Sequence, residues 1–194
     1  MSQPTGLRER KRQATRAAIV RAATELFLAR GFAATSVTDI ATAAEVSRRT
    51  FFLYFPSKED VLFHHIEGHL RIAQRTLDEL GPEATAWNAV QEAMTALVDA
   101  FDTAGVDELA DLRTEMIRGA QGLPASLMVR LQSVHTTLVT LIRQRFPDPE
   151  LGPEISAHLG ACLGAVAATA FSAPGARRAH AMRTAVQQAG AGFR

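Results

Sequence analysis

Arg48 and Arg49 stand side by side, followed by Thr50 and then by Phe51-Phe52-Leu53-Tyr54-Phe55, a run that Pro56 stops. Guanidinium groups are well matched to the O6 and N7 acceptors of guanine and to phosphate oxygens. The aromatic run that follows fills about two helical turns. Phe51 and Phe55, four residues apart, share one side of a helix and are expected to pack inward with Val46. Phe52 and Tyr54 fall nearer the exposed edge, where the Tyr54 hydroxyl can bond a phosphate. Lys58 stands at the start of the next helix, where its charge and the backbone N–H groups suit another phosphate. A second cluster of cations, Arg8, Arg10, Lys11 and Arg12, lies near the N-terminus, with Arg16 and Arg21 behind it.

A different chemistry is conceivable at His64, His65 and His69. His65 and His69 are one turn apart and can chelate a metal, which makes a helical metal-dependent enzyme one alternative. The order is H-x-E-x-H with Glu67 in the centre. It lacks the H-E-x-x-H arrangement that places a glutamate as base beside zinc, so exposed helix histidines are the favoured reading. No Gly-rich phosphate loop, nucleophile elbow or Cys-x-x-Cys pair is present in the sequence. The expectation is a non-enzyme with no cofactor and no metal.

The chain has 194 residues, 47% of them hydrophobic and 21% charged, enough apolar material for one or two cores and too much for a disordered chain. Its single cysteine, Cys162, excludes an intramolecular disulfide and suits a reducing cytoplasm. The basic N-terminus is followed by no apolar stretch of signal-peptide type. Residues 155–173 approach membrane-spanning length but are mostly Ala, Gly and Ser with His158 among them, so a buried packing helix is expected there and no membrane association. Net charge is +1, yet it is divided unevenly. Up to Asp60 there are ten Lys or Arg against six Asp or Glu, a net +4; beyond it there are eleven against fourteen, a net −3. A basic front joined to a mildly acidic remainder points to a polyanion partner for the front alone.

These residues require helices to position them, and the pattern is helical throughout. Ile19, Ala23, Leu26 and Phe27 recur at helical spacing and end at Gly31. Ser36-Val37-Thr38-Asp39 is a capping-box pattern ahead of Ile40, Ala41 and Ala44; Ser47 caps a third helix. Ser57-Lys58-Glu59-Asp60 opens a long fourth helix carrying Val61, Leu62, Ile66, Leu70, Ala73 and Leu77. Only Ala44 to Val46 separate the second helix from the third. Two short helices on so tight a turn, supported by a first, describe a helix-turn-helix whose second helix presents its N-terminal positions to a DNA major groove.

Residues 35–62, TSVTDIATAAEVSRRTFFLYFPSKEDVL, resemble the signature of TetR-family transcriptional regulators in the order and spacing of Ile40-Ala41, Val46-Ser47, Tyr54-Phe55 and Ser57-Lys58-Glu59. The resemblance covers about residues 10–65. It implies an all-α fold of about nine helices, with a DNA-binding domain over 1–60 (basic arm 1–16, helix-turn-helix about 36–55) and a ligand-binding and dimerisation domain over 61–194. It implies a repressor released from a palindromic DNA operator by a small effector, with the fourth helix moving as a lever. An effector-independent DNA-binding protein is the alternative. By the same resemblance Thr38, Arg48 and Arg49 read bases, Ser36, Thr50, Tyr54 and Lys58 approach phosphates, and Ser47 and Phe52 are further DNA-binding candidates. Three departures stand out: Glu45 where the family has glycine, Phe52 where it often has tyrosine, and Arg49 in place of a small residue. If Glu45 has positive φ, its Cβ costs about 1 kcal/mol.

Beyond Gly81-Pro82, further helices are expected at about 84–104, 106–120, 124–146, 153–172 and 176–191. Trp87, Met94, Phe101 and Met116 are the candidate effector contacts, since the resemblance implies an apolar cavity between helices four and seven. The recognition-helix form VSRRTFF is similar to that of actinobacterial members associated with fatty acyl-CoA-like effectors. Gly160, Gly164 and Ala168 recur every four residues and allow close approach of another helix, fitting a homodimer.

Overall fold

The computed structural model describes residues 5–103, 109, 112–114, 116, 125–172 and 177–192. The described residues are helical, with no strand among them. The chain packs as two units: residues 1–64 together with 108–113, and residues 65–107 together with 114–194. The first division thus falls after His64, where the sequence placed it after Asp60.

In the first unit, α1 spans Thr5–Arg30, α2 Val37–Ala43, α3 Arg48–Tyr54 and α4 Lys58–Leu62. The basic arm is continuous with α1 from Thr5 onward, with the side chains of residues 7–14 exposed. Further along, α1 buries Ile19, Ala22, Ala23 and Phe27 against Ile40, Ala41, Phe51 and Phe55, which are all nearly or wholly inaccessible. α1 ends as Gly31 adopts φ 81 and donates to the Phe27 carbonyl at 2.9 Å. Thr35, buried in the loop that follows, returns its hydroxyl to the Gly31 and Leu26 carbonyls.

Each short helix is started by the serine anticipated for it. Ser36 and Asp39 form a reciprocal capping box on α2; Ser47 accepts from the Thr50 amide on α3, and Ser57 from Asp60 on α4. α2 stops in a Schellman motif, with Val46 N–H bonded to the Ala41 carbonyl at 2.9 Å and Glu45 N–H to the Thr42 carbonyl at 3.1 Å. Glu45 sits between them at φ 54, the left-handed conformation that this motif demands.

The expected long fourth helix is two helices. α4 closes at Leu62, and α5 runs His65–Glu79. The Val61 carbonyl accepts from the amide of His64 at 3.3 Å, an i to i+3 closure, and lies 2.8 Å from the His64 ring Nδ1. The carbonyl of Leu62, at the end of α4, accepts from the buried Nε of Arg113 at 2.6 Å, a contribution of the 108–113 segment to the first unit.

The second unit contains α5, α6 (Ala86–Thr103), α7 (Ala125–Arg145), α8 (Leu151–Ser172) and α9 (Arg177–Ala191). Most of the expected 106–120 helix lies outside the described residues. α8 starts at Leu151 rather than at Pro153, whose missing N–H costs nothing within a first helical turn. α8 packs on α6, α7 and α9, and α6 also packs on α5 and α9. The core holds Ala89, Val90, Met94, Val98, Leu138, Ile142, Ile155, Leu159, Cys162 and Val186. No helix among the described residues is long and apolar enough to cross a membrane.

Candidate nucleic-acid interface

α2, the Schellman turn and α3 present one continuous polar edge. Thr38 on α2 is exposed, as are Ser47, Arg48 and Arg49 where α3 begins. Phe51 and Phe55 point the opposite way and are fully buried, their ring centroids 6.0 Å apart. The guanidinium of Arg16 on α1 lies 5.1 Å from the centre of the Phe55 ring. The arginine pair is therefore held outward because the aromatics on the same seven residues are anchored inward. Tyr54 and Thr50 are half-buried, and Phe52 is 47% exposed. No acidic residue occupies the first turn of α3.

Several hydroxyls assigned to phosphate from sequence already have internal partners. Ser36 Oγ donates to Asp39 at 2.7 Å and accepts the Asp39 amide at 3.1 Å. The Ser36 hydroxyl and the Ser36 amide, which donates to the same carboxylate at 2.9 Å, together with Arg30 at 3.9 Å hold the Asp39 carboxyl below its ordinary range. Ser47 and Thr50 share a hydroxyl contact of 2.8 Å. Lys58 is turned inward: its Nζ donates to the Phe32 and Thr35 carbonyls, both at 2.8 Å, and lies 4.3 Å from the centre of the Phe32 ring. It ties the α1–α2 loop to the start of α4. That start also carries Glu59 and Asp60 and is capped by Ser57, which makes it a poor phosphate cradle. Arg8, Arg10, Lys11 and Arg12 are exposed along the first turns of α1.

Sequence reasoning missed Leu53, which is 76% exposed on the same α3 edge. Its aromatic neighbours made it read as part of an apolar run, and only the direction of the helix separates it from Phe51.

Residues 19–64 match the family described as bacterial regulatory proteins of the tetR family. The N-terminal unit is a TetR-family helix-turn-helix domain. Among curated relatives, the chain is 55% identical over 56 residues to the HTH-type transcriptional regulator TcmR of Streptomyces glaucescens, covering 29% of this chain and 25% of that one. It is 28% identical over 144 residues to the HTH-type transcriptional regulator EthR of Mycolicibacterium smegmatis, covering 72% and 65%. The chain thus spans less than two thirds of the length of these relatives. Among solved structures it is similar to Thermus thermophilus FadR, a TetR-family transcriptional repressor in complex with lauroyl-CoA, with a TM-score of 0.59 and 22% identity over 90% of this chain and 92% of that one. At that identity the likeness is one of fold.

Away from the TetR-family domain, the second unit holds the candidate effector contacts. Met94 is buried, and Trp87 and Met116 are half-buried; the side chain of Phe101 lies outside the described residues. The structure adds a polar pair that the sequence did not single out. His158, on α8, lies 5.4 Å from the Trp87 ring, and its Nε2 is 2.9 Å from the Gln91 amide nitrogen. Gln91 also reaches Cys162 Sγ at 3.8 Å. Burial holds the His158 pKa below its ordinary value and pushes the Cys162 thiol up to about 11. α9 comes close here through Gly190, where a Cβ would collide with the Gln91 side chain.

Gly160, Gly164 and Ala168 are all exposed on α8. A Cβ on Gly164 would meet nothing within 4 Å, whereas one on Gly160 would lie 4.0 Å from His135 Nε2. His65 and His69 stack edge-on with centroids 5.6 Å apart. Among the described residues no group of three or more His, Cys, Asp or Glu is placed to hold a metal ion.

Proposed function

We propose that this chain is a DNA-binding transcriptional regulator, acting in the cytoplasm as a homodimeric repressor that a small apolar or amphipathic effector releases from a palindromic operator. The observation that carries the reading is α3 itself, with Arg48 and Arg49 exposed at its start while Phe51 and Phe55 lock its other face into the core. In this reading the α3 N-terminus enters the major groove. Arg48, Arg49 and Thr38 contact bases, and Tyr54, Thr50 and Ser47 approach the backbone. The arm cations Arg8, Arg10, Lys11 and Arg12 add phosphate attraction. Ser36 and Lys58 serve as positioning residues, since their polar atoms hold the α1–α2–α4 junction.

One seven-residue recognition helix touches few base pairs, so a two-fold pair is needed for useful specificity. The exposed small residues of α8 supply a face on which a second copy can approach closely. The effector site belongs to the second unit, around Trp87 and Met94 with Gln91 and His158 as its polar groups. The lauroyl-CoA held by Thermus thermophilus FadR supports an amphipathic acyl ligand as the class to test first. Coupling between effector and operator is a difference in effector affinity between the bound and released states.

Fluorescence anisotropy on the promoter DNA of the protein's own and neighbouring genes, with and without acyl-CoA, tests this reading. The Arg48→Ala/Arg49→Ala double variant is expected to lose specific binding and to show a shallower dependence on salt. Unchanged specificity and unchanged salt dependence in that variant would rule the assignment out.

A further inference from the structure

The exposed residues of α3 fall into two columns. Arg48 stands one turn before Phe52, and Arg49 one turn before Leu53, each pair at the i to i+4 spacing that shares a helix face. All four side chains are exposed, and Leu53, at 76%, is the most exposed large apolar side chain among the described residues. A lone exposed leucine is ordinary. This one adjoins Phe52, whose ring meets the buried Phe51 edge-on at 5.5 Å and 89°, so the apolar patch is braced by the core beneath it. A surface that is cationic and apolar within seven residues suits one partner well. The major-groove edge of DNA sets the O6 and N7 acceptors of guanine beside the C5 methyl of thymine, and no other base-pair edge offers that methyl.

We infer that Leu53, with Phe52 beside it, reads thymine methyl groups, while the arginine one turn earlier in each column reads a nearby guanine. One helical turn advances about 5.4 Å and one base step about 3.4 Å. The half-site therefore carries thymine within about two base pairs of guanine. The inference rests on the DNA reading proposed above and specifies which bases that surface selects.

The test uses the full chain and a duplex recovered by selection from randomised double-stranded DNA. Each thymine is replaced in turn by uracil, which removes the methyl group and nothing else. Burying one methyl corresponds to about a fourfold change in affinity, so at least one position is expected to weaken by that factor. Leu53→Ala should bind the thymine duplex about as weakly as wild type binds the uracil duplex, and it should be indifferent to uracil at that position. Because Leu53 is exposed, the variant's thermal melting should match wild type, which separates lost reading from lost folding. If uracil is neutral at every position, methyl reading is overturned, and if Leu53→Ala keeps the full uracil penalty, its assignment to Leu53 is overturned; in either case the DNA assignment stands. If wild type enriches no sequence from the pool, the DNA assignment fails and this inference fails with it.

Discussion

Glu45 shows how a single residue can carry a cost that its neighbours impose. The Schellman bonds from Glu45 and Val46 back to α2 require a left-handed residue between the two helices, and Glu45 supplies it at φ 54. A Cβ in that conformation is disfavoured by about 1 kcal/mol, which glycine avoids although it has more unfolded-state entropy to lose. Glu45→Gly is therefore expected to stabilise the first unit by about 0.5–1 kcal/mol. The check is the urea midpoint, which should rise with an unchanged slope; a lower midpoint would show that Glu45 makes a compensating contact. At this scale the sequence was legible wherever a residue acts on its own backbone. The Ser-x-x-Asp caps at Ser36 and Ser57 and the glycine ending α1 stand where their local chemistry requires. Lys58 was not legible, because its partners, the Phe32 and Thr35 carbonyls, are distant in sequence.

Between elements, the junction of α6, α8 and α9 concentrates the polar chemistry of the second unit. The Gln91 amide faces His158 Nε2, which places the acceptor on the ring and suits neutral imidazole. Burial lowers the folded-state pKa of His158 from 6.5, so the unfolded chain takes up the proton first as pH falls. The stabilisation from keeping this ring neutral is complete above about pH 6.5 and is lost as pH falls toward the folded pKa, with a slope of at most about 1.4 kcal/mol per pH unit. Thermal melting at pH 7.5 and pH 5.5 should show that loss in wild type, and His158→Gln should reduce it. An equal loss in the variant would place the acid sensitivity at other groups. The break between α4 and α5 belongs to this scale as well. Apolar spacing runs unbroken from Val61 to Leu77, and the interruption falls where the His64 amide and ring both turn back to the Val61 carbonyl.

At the scale of the molecule, a basic helix-turn-helix unit is followed by a second unit whose α8 leaves a stripe of small residues open. Gly164→Leu places its Cβ in open space within the protomer, with nothing within 4 Å, and it improves helix propensity by about 1 kcal/mol. If that stripe is the two-fold interface, the variant should run as a monomer by light scattering and lose the tight binding of a two-half-site duplex. A dimer of undiminished stability would place the interface elsewhere. The sequence by itself determined the all-helical class, the helix-turn-helix and its family, and the inward Phe51 and Phe55, because periodicity, caps and turn chemistry act over a few residues. Only the tertiary structure decided that Leu53 faces outward beside the arginines, that Lys58 is spent internally and that Gln91 meets His158. Those facts depend on which faces distant segments cover, and no local pattern along the chain records that.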